Sequence, residues 1–362
     1  MTLPFRIAAV LTLAGVALMP VVADEAHAQP ASILAQLPTS AERIVSTVPH
    51  NGDVNPYGVA FVPQGFPEGG LLEPGDILVS NFNNNQNEQG TGTTIVKITK
   101  GGQVSVFFHG PKGLGLTTAL GVLRAGYVLV GNLPTTDGTS ATVQQGSLLV
   151  IDRFGKLVIT LANASLLDGP WDLTVNDLGE AAHVFVSNVL SGTVTRLDIF
   201  LGDGLFYVYR ITQIGSGYTH RTDPNALVIG PTGLAYDAAA DLLYVASTGD
   251  NEIFAISSAS LASKDGKRGK LIYSDNANLH GPLGLTLAPN GNLITANGDA
   301  VNPGGTQNDL VEFTPKGQFV GQFQVDPGPG GGAFGLAFST SGDLRFAAVD
   351  DDQNTLDIWD LD

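Results

Sequence analysis

The feature that most constrains the fold of this chain is a seven-residue segment that recurs six times, with glycine at its centre in five of the copies. The six copies are NPYGVAF from Asn55, TALGVLR from Thr118, GPWDLTV from Gly169, GPTGLAY from Gly230, GPLGLTL from Gly281 and GAFGLAF from Gly332. The aligned central residues are Gly58, Gly121, Asp172, Gly233, Gly284 and Gly335, which lie 63, 51, 61, 51 and 51 residues apart. A period of this length with insertions indicates a stacked or radial repeat.

Each repeat predicts several short strands in the same order. The recurring segment is followed by a second apolar segment such as DILVSNF, then by a third such as TTIVKIT, and in five units by a fourth such as QVSVFFH. The first two are uniformly small and apolar, as buried inner strands are, whereas the last two alternate like half-exposed outer strands. Four-stranded sheets repeated around an axis form a β-propeller. We therefore predict an all-β fold, a six-bladed β-propeller of four-stranded blades.

The last repeat lacks a fourth strand, because the chain ends at Asp362 after three. The segment ERIVSTV, residues 42–48, stands directly before the first unit, where every other fourth strand stands before the next unit. We predict that this N-terminal strand completes the last blade and closes the ring, which removes free sheet edges. The expected organisation is a signal peptide at 1–28, a linker at 29–40 and one propeller domain at 41–362.

The N-terminus predicts export. An apolar run over residues 7–22 is followed by Ala26-His27-Ala28, which fits the small-x-small cleavage pattern of a secretory signal. A membrane anchor is the alternative, but the run is shorter than the roughly 20 residues needed to span a bilayer. We expect a periplasmic or extracellular protein with no membrane span after cleavage.

Charge and cysteine content exclude several classes of function. The chain has a net charge of −17, and its 17 lysines and arginines are scattered without a cluster, so nucleic acid and anionic membranes are not expected partners. Cysteine is absent, which excludes disulfides, zinc–thiolate sites and thiol catalysis.

The segments GPLGLTLAPNGNLITANG and GPTGLAYDAAADLLYVAST resemble NHL-type repeats of six-bladed propellers. That superfamily includes gluconolactonase-like and streptogramin-lyase-like proteins, and the resemblance extends from Glu42 to the end of the chain. It implies an architecture rather than an activity, because propellers host many functions.

The resemblance to gluconolactonase-like proteins implies a divalent metal held near the axis by a Glu, two Asn and an Asp. Asp168, in DGPWD, stands at a place like that of the Glu, but Tyr57, Thr232 and Leu283 stand where a Pro-Asn-Gly element would have its Asn. Asp168 together with Asp172 remains a candidate site for a divalent cation such as calcium, although a hard cation needs more oxygen ligands. The histidines of lyase-like proteins have no counterpart between Pro and Gly in these segments.

One face of the predicted propeller collects most of the long polar loops. They are NNNQNEQGTG from Asn83, PTTDGTSATVQQ from Pro134, GSGYTHRTDPNALVIG from Gly215 and DAVNPGGTQ from Asp299. Long loops on a rigid scaffold usually carry binding function, and tolerated insertions are the alternative.

Three sets of residues on this long-loop face are candidate ligand contacts. The first set directly precedes the aligned central residues of the repeats. We predict that these residues either line an apolar throat at the axis or pack between blades: Tyr57, Leu120, Trp171, Thr232, Leu283 and Phe334. Four second strands end in an asparagine, namely Asn81, Asn132, Asn188 and Asn297. These side chains either form a polar ring that contacts a ligand or bond to their own backbone and shape the turn after the strand. His220 and Arg221, in one of the long loops, form a pair that can meet an anion.

These observations favour an exported module that binds a small molecule or a protein through its long-loop face and axial mouth, without catalytic residues. A metal-dependent lactonase or hydrolase of the gluconolactonase-like kind is the alternative, and a structural component of the cell envelope is a third.

Overall fold

The computed structural model describes Met1 and residues 31–298, 308–328, 330–339 and 342–361. The predicted signal peptide and the predicted loop at 299–307 lie outside the described residues, and the segments 1–30 and 31–362 are separate units. The predicted division of residues 1–40 into signal and linker stays a prediction. Among the described helices, none has the length and apolar character needed to cross a bilayer.

Antiparallel strands form the first three blades. Blade 1 contains β2 (Val54–Phe61), β3 (Ile77–Asn83), β4 (Thr94–Ile98) and β5 (Val104–His109). Blade 2 contains β6 (Leu116–Leu123), β7 (Tyr127–Asn132), β8 (Ser147–Asp152) and β9 (Leu157–Leu161). Blade 3 contains β10 (Pro170–Asp177), β11 (Ala181–Asn188), β12 (Thr193–Phe200) and β13 (Tyr207–Ser216).

Three further blades follow, and a two-stranded hairpin lies between blades 3 and 4. The hairpin is β14 (Arg221–Asp223) and β15 (Leu227–Ile229). Blade 4 contains β16 (Pro231–Asp237), β17 (Leu242–Ser247), β18 (Glu252–Ser257) and β19 (Lys270–Tyr273). Blade 5 contains β20 (Leu285–Leu287), β21 (Leu293–Ala296), β22 (Leu310–Phe313) and β23 (Phe319–Phe323). Blade 6 contains β24 (Leu336–Phe338), β25 (Arg345–Asp350), β26 (Thr355–Asp360) and β1 (Arg43–Ser46).

The N-terminal strand closes the ring, as predicted. β1 pairs antiparallel with β26, and Arg43 lies opposite Ile358. The pairing continues beyond the strand, where the Thr47 backbone nitrogen donates to the Asn354 carbonyl oxygen over 2.9 Å. The prediction of six four-stranded blades is therefore confirmed. Besides the strands, the described residues contain short 3₁₀ turns at Leu34–Gln36, Ser140–Thr142 and Gly202–Gly204.

Burial follows the predicted order from inner to outer strands. Every residue of β3 is buried, whereas β9 alternates between half-buried and exposed residues. Apolar side chains pack between neighbouring blades, as where the rings of Phe185 and Tyr236 lie 4.8 Å apart across blades 3 and 4. Each blade thus buries its faces against the next, which explains why the repeat is stable only as a ring.

The segment before β1 docks against blade 5. Buried Glu312 accepts hydrogen bonds from Ser32 Oγ (2.7 Å) and from the Leu34 backbone nitrogen (3.0 Å). It also accepts bonds from the side-chain amides of Asn292 (2.7 Å) and Asn290 (2.9 Å). Burial favours the neutral acid, but these donors outweigh it and lower the pKa of Glu312.

Candidate binding site at the axial mouth

The first strands of blades 1, 3 and 4 bulge where they reach the axis. In each bulge, two residues of the first strand lie opposite a single residue of the second strand. The bulges lie between Pro56 and Val59, between Pro170 and Leu173, and between Pro231 and Leu234. A bulge bends its strand and redirects side chains. The first residue in each bulge is Tyr57, Trp171 or Thr232, and all three line a cavity at the long-loop end of the axis. We call this cavity the axial mouth.

Blade 2 departs from this pattern. Leu116 pairs with Asn132 and Leu120 with Val130, so three residues bulge opposite Gly131. A Cβ atom on Gly131 would lie 2.5 Å from Thr117 Oγ1 and 2.7 Å from the Ala119 Cβ, so glycine is needed to make room for the larger bulge. Leu120 pairs with Val130 as Val59 pairs with Val79 in blade 1, so Leu120 takes the place of Val59, not that of Tyr57, and lines the cavity at the opposite end. The prediction that Leu120 belongs to the throat was wrong for this reason.

Aromatic rings form one wall of the axial mouth. The Tyr57 ring is stacked between those of Phe334 and Phe82, with centroids 4.6 Å away in both cases. Trp171 meets Tyr57 edge-on at 5.7 Å and Phe82 at 5.5 Å. Tyr57, Trp171 and Phe334 line the axial mouth, with Leu283 and Thr232 beside them. The contacts of Tyr57 with Trp171 and Phe334 join different blades, so they also match the alternative of packing between blades. Phe82 packs on the Tyr57 ring but is fully buried and lies outside the lining.

The rest of the axial mouth is polar. The cavity has a volume of about 240 Å³, and side chains from blade 1 and from the β14–β15 hairpin face the aromatic wall. The principal polar residues of the lining are Asn55, Asn83, Asn87, Gln89, Asn225 and Thr248. The axial mouth thus combines one aromatic wall with a polar remainder that also includes the acid Asp351.

Two amide oxygens of this lining have no hydrogen-bond partner within the described part of the chain. Asn83 is 1% exposed, and its Nδ2 donates to Asn87 Oδ1 over 2.7 Å, which orients the amide and leaves Oδ1 unpaired. The Oδ1 of Asn55 is also buried and unpaired. Leaving a buried acceptor unpaired costs about 1–3 kcal/mol. Asn55 and Asn83 both line the axial mouth, so two buried amide oxygens with unused hydrogen-bonding capacity lie beside this cavity.

The β14–β15 hairpin covers one side of the axial mouth. Asn225, Ala226 and Val228 line the cavity, and Asp223 Oδ1 accepts from the backbone nitrogens of Asn225 (2.9 Å) and Ala226 (3.3 Å). Leu227 is 2% exposed and has a φ of 60°, a conformation unusual for a branched residue. The packing of Leu227 in the same apolar cluster as Tyr57 and Trp171 holds it there.

His220 and Arg221 lie outside the lining of the axial mouth. Both are exposed, His220 Nδ1 lies 3.0 Å from the Tyr218 carbonyl oxygen, and Arg221 forms an ion pair with Asp223 at 3.2 Å. The structure therefore does not bring them to the aromatic wall. Their role as anion contacts stays a prediction for the outer surface of the hairpin.

The four predicted asparagines are buried inside the blades. Each donates from Nδ2 to a carbonyl oxygen that precedes the first strand of its own blade. The pairs are Asn81 with Thr47 (3.1 Å), Asn132 with Leu114 (3.2 Å), Asn188 with Leu166 (3.4 Å) and Asn297 with Asn278 (2.9 Å). None of the four belongs to the lining of the axial mouth. The geometry matches the turn-shaping alternative, because the bonds hold the incoming chain against its blade.

Asp168 and Asp172 lie in different parts of the molecule, so they do not form a common site. Asp168 is half-buried, and burial raises its pKa while the nearby His220 partly offsets that rise. Asp172 lines the cavity at the opposite end of the axis. Among the residues that the structure describes, no three of His, Cys, Asp or Glu are grouped to hold a metal. Of the described residues that line the axial mouth, only Asp351 carries a carboxylate, so the lining lacks the second acid of the quartet that the family resemblance implies.

Comparisons with known proteins support the fold. No family model matches the chain, and no curated protein matches it significantly. A gluconolactonase from Xanthomonas campestris is 15% identical with a TM-score of 0.56, over 90% of this chain and 91% of the other. Regucalcin from Agrobacterium tumefaciens, a calcium-binding protein, is 15% identical with a TM-score of 0.52, over 86% and 92%. A luciferin-regenerating enzyme is 11% identical with a TM-score of 0.52, over 87% and 94%. At these identities the likeness shows the six-bladed fold.

Proposed function

We propose that this protein is an exported, non-catalytic binding protein whose axial mouth takes a small ring-bearing ligand with hydrogen-bond donors. The observation that carries the proposal is the pair of unpaired amide oxygens, on Asn55 and Asn83, in the same cavity as the stacked aromatic wall. A ring packs on the Tyr57–Trp171–Phe334 wall, and its O–H or N–H groups supply the donors that these oxygens lack. A volume of about 240 Å³ suits a single-ring ligand.

Tryptophan fluorescence tests this proposal directly. The chain has two tryptophans, of which Trp171 lines the axial mouth and Trp359 is fully buried in blade 6. The Trp359→Phe variant therefore reports on Trp171 alone. We expect at least one of a panel of phenols, pyranose sugars and nucleobases to change its emission in a saturable way. The same panel should leave the emission of the Trp171→Phe variant unchanged.

A matched pair of variants separates specific binding from general damage. Asn83→Ala removes an unpaired acceptor of the axial mouth, and we expect it to weaken binding about tenfold, which corresponds to ~1.4 kcal/mol. Asn176→Ala changes a half-buried asparagine on blade 3 outside that cavity and should leave affinity unchanged. Equal affinities in both variants, or no saturable ligand in the panel, would contradict the proposal.

A metal-dependent lactonase is the second candidate function, and the likeness in fold to the Xanthomonas gluconolactonase favours it. Hydrolysis of glucono-δ-lactone by the purified protein, measured with added calcium or zinc, tests it. Turnover that is lost on removing the metal would replace the binding proposal. We expect the rate to equal that of the buffer, because Asp351 is the single acid among the described residues that line the axial mouth.

Export rests on the N-terminal sequence pattern. N-terminal sequencing of the protein recovered from a secreting host should find Gln29 as the first residue, since cleavage after Ala28 fits the signal pattern. An intact N-terminus in the membrane fraction would favour the anchor instead.

A further inference from the structure

A second and larger cavity opens at the other end of the propeller axis. Its volume is about 490 Å³, which lies within the roughly 300–1,000 Å³ range of small-molecule sites. Apolar side chains from the first strands of the blades form much of its wall, among them Val59, Val122, Val175, Leu285, Leu336 and Phe338. This opposite cavity shares no lining residue with the axial mouth.

The opposite cavity contains the carboxyl group of Asp172, which stands at a position that is glycine in most of the repeats. Asp172 stands in blade 3 where the aligned units of blades 1, 4, 5 and 6 have Gly58, Gly233, Gly284 and Gly335. The side chain of Asp172 lines the cavity and is 9% exposed. Its Oδ1 accepts from the Leu173 backbone nitrogen (2.8 Å) and its Oδ2 from that of Leu234 in blade 4 (2.9 Å).

No cation of the described residues neutralises Asp172. The other charged side chains lining the cavity are Arg124 and Asp177, and they pair with each other at 3.2 Å. Asp177 also accepts from the Arg124 backbone nitrogen over 2.7 Å, so this arginine is held at the rim. Burial raises the pKa of Asp172 to about 8, although the backbone donors of Leu234 and Leu173 oppose the rise. An uncompensated carboxyl at the base of an apolar cavity is complementary to a cation with an apolar body.

We propose that the opposite cavity binds an organic ammonium ion, whose charged group pairs with the Asp172 carboxylate while its apolar body packs on the valine and leucine walls. Each carboxylate oxygen already accepts one backbone hydrogen bond and keeps lone pairs for a further donor. At neutral pH the empty site is mostly protonated, so ammonium binding releases a proton and strengthens as the pH rises. The site is independent of the axial mouth and of the function proposed for it.

Calorimetric titration with benzylamine, compared with its neutral analogue benzyl alcohol, tests this proposal. We expect benzylammonium to bind more than about tenfold more tightly at pH 8.5 than at pH 6.5, because Asp172 ionises between these values. Repeating the titration in buffers of different ionisation enthalpy should show release of about one proton at pH 6.5. Equal affinity for benzyl alcohol, pH-independent binding or no binding would overturn the proposal.

Variants of the carboxyl group locate the binding. Asp172→Gly restores the residue found in four other blades, and Asp172→Asn keeps the shape of the side chain; both should abolish benzylammonium binding. Asp237→Asn changes an acid at the end of the first strand of blade 4, outside the lining of this cavity, and should leave the affinity for benzylammonium unchanged. If one Asp172 variant fails to fold, the other gives the result. Binding that survives in a folded Asp172 variant would place the ammonium elsewhere and contradict the assignment.

Discussion

The backbone carbonyl oxygen of Tyr57, in blade 1, lies 1.9 Å from the position that a Cβ atom would take on Gly335, in blade 6. The same relation joins blades 5 and 6, where a Cβ on Gly284 would lie 2.0 Å from the Phe334 carbonyl oxygen. The recurring glycine therefore exists because the first strands of neighbouring blades touch at the axis. Tyr57 is also the central ring of the aromatic wall, so the contact that closes the ring positions the axial mouth.

Gly335→Ala should destabilise the protein strongly. The added methyl group overlaps backbone rather than a flexible side chain, so we expect a loss of about 3 kcal/mol or more in the free energy of unfolding. Urea unfolding followed by fluorescence measures this loss. The control is Gly101→Ala, because a Cβ there meets only Thr99 Oγ1 at 3.7 Å. Equal stability of the two variants would show that the first strands do not touch at the axis.

Asp172→Asn should change how stability depends on pH. Burial raises the pKa of Asp172 from 3.8 to about 8, so the folded state holds the proton more tightly than the unfolded state. The contribution of this group to stability is complete below about pH 4 and is lost as the pH rises toward 8. The melting temperature of the Asn variant, relative to the wild type, should therefore rise between pH 5 and pH 9. A constant difference would mean that Asp172 does not titrate in this range.

Glu312→Gln should release the segment at residues 31–37 from blade 5. The glutamine loses the charge and turns an NH₂ group toward two of the four donors, so we expect a loss of about 2–3 kcal/mol in the free energy of unfolding. Limited proteolysis should then cut the segment near Leu37 faster than in the wild type. The exposed Glu180→Gln is the control. Unchanged cleavage would show that Glu312 does not hold the segment.

The same carboxylate predicts a loss of stability in acid. Because the pKa of Glu312 is lowered in the folded state, its contribution is present above the ordinary value of 4.5 and disappears as the pH falls through the folded value. Melting curves between pH 6 and pH 3 should therefore converge for the wild type and Glu312→Gln. Curves that stay parallel down to pH 3 would contradict the lowered pKa.

Two asparagines that look alike in the sequence should differ in their effect on stability. Asn188 donates to the Leu166 carbonyl oxygen and to the Thr195 hydroxyl, and its Oδ1 accepts from the Asp168 backbone nitrogen. We expect Asn188→Ala to cost about 2–3 kcal/mol, because it leaves several buried groups unpaired. Asn83→Ala removes an oxygen that is already unpaired and one hydrogen bond to the exposed Asn87, where water can replace it, and should cost under about 1 kcal/mol. Equal costs in chemical unfolding would argue that Asn83 is a structural residue of the same kind.

The predictable part of the site is the part that belongs to the repeat. Tyr57, Trp171 and Phe334 stand at the same position of three units, so aligning the units was enough to place them at one end of the axis. Leu120 was aligned with them too, but its pairing with Val130 puts it in the place of Val59, at the opposite cavity. Periodicity predicts the place of a strand, whereas the size of a bulge depends on the pairing that forms against the neighbouring strand.

The part of the site that could not be predicted consists of residues that occur in one blade only and do not recur in the repeat. Asn55, within β2, and Asn87, in the loop after β3, have φ values of 62° and 59°, and both line the axial mouth. Nothing in the repeat marks Asn83 as different from Asn81, two residues earlier, yet only Asn83 lines the cavity. Successive side chains in a strand alternate between faces, but which of two polar residues meets the axis depends on the local bend of the chain.

By itself, the amino-acid sequence determined the number of blades, the order of their strands and the closure of the ring by β1. These properties follow from local patterns that recur in the sequence, because the spacing of apolar residues in a strand indicates which of its faces are buried. Only the tertiary structure decided which polar atoms are left unpaired at the axial mouth and that Asp168 and Asp172 are used in different places. Those outcomes depend on contacts between residues far apart in the chain, where a shift of one residue exchanges one cavity for the other.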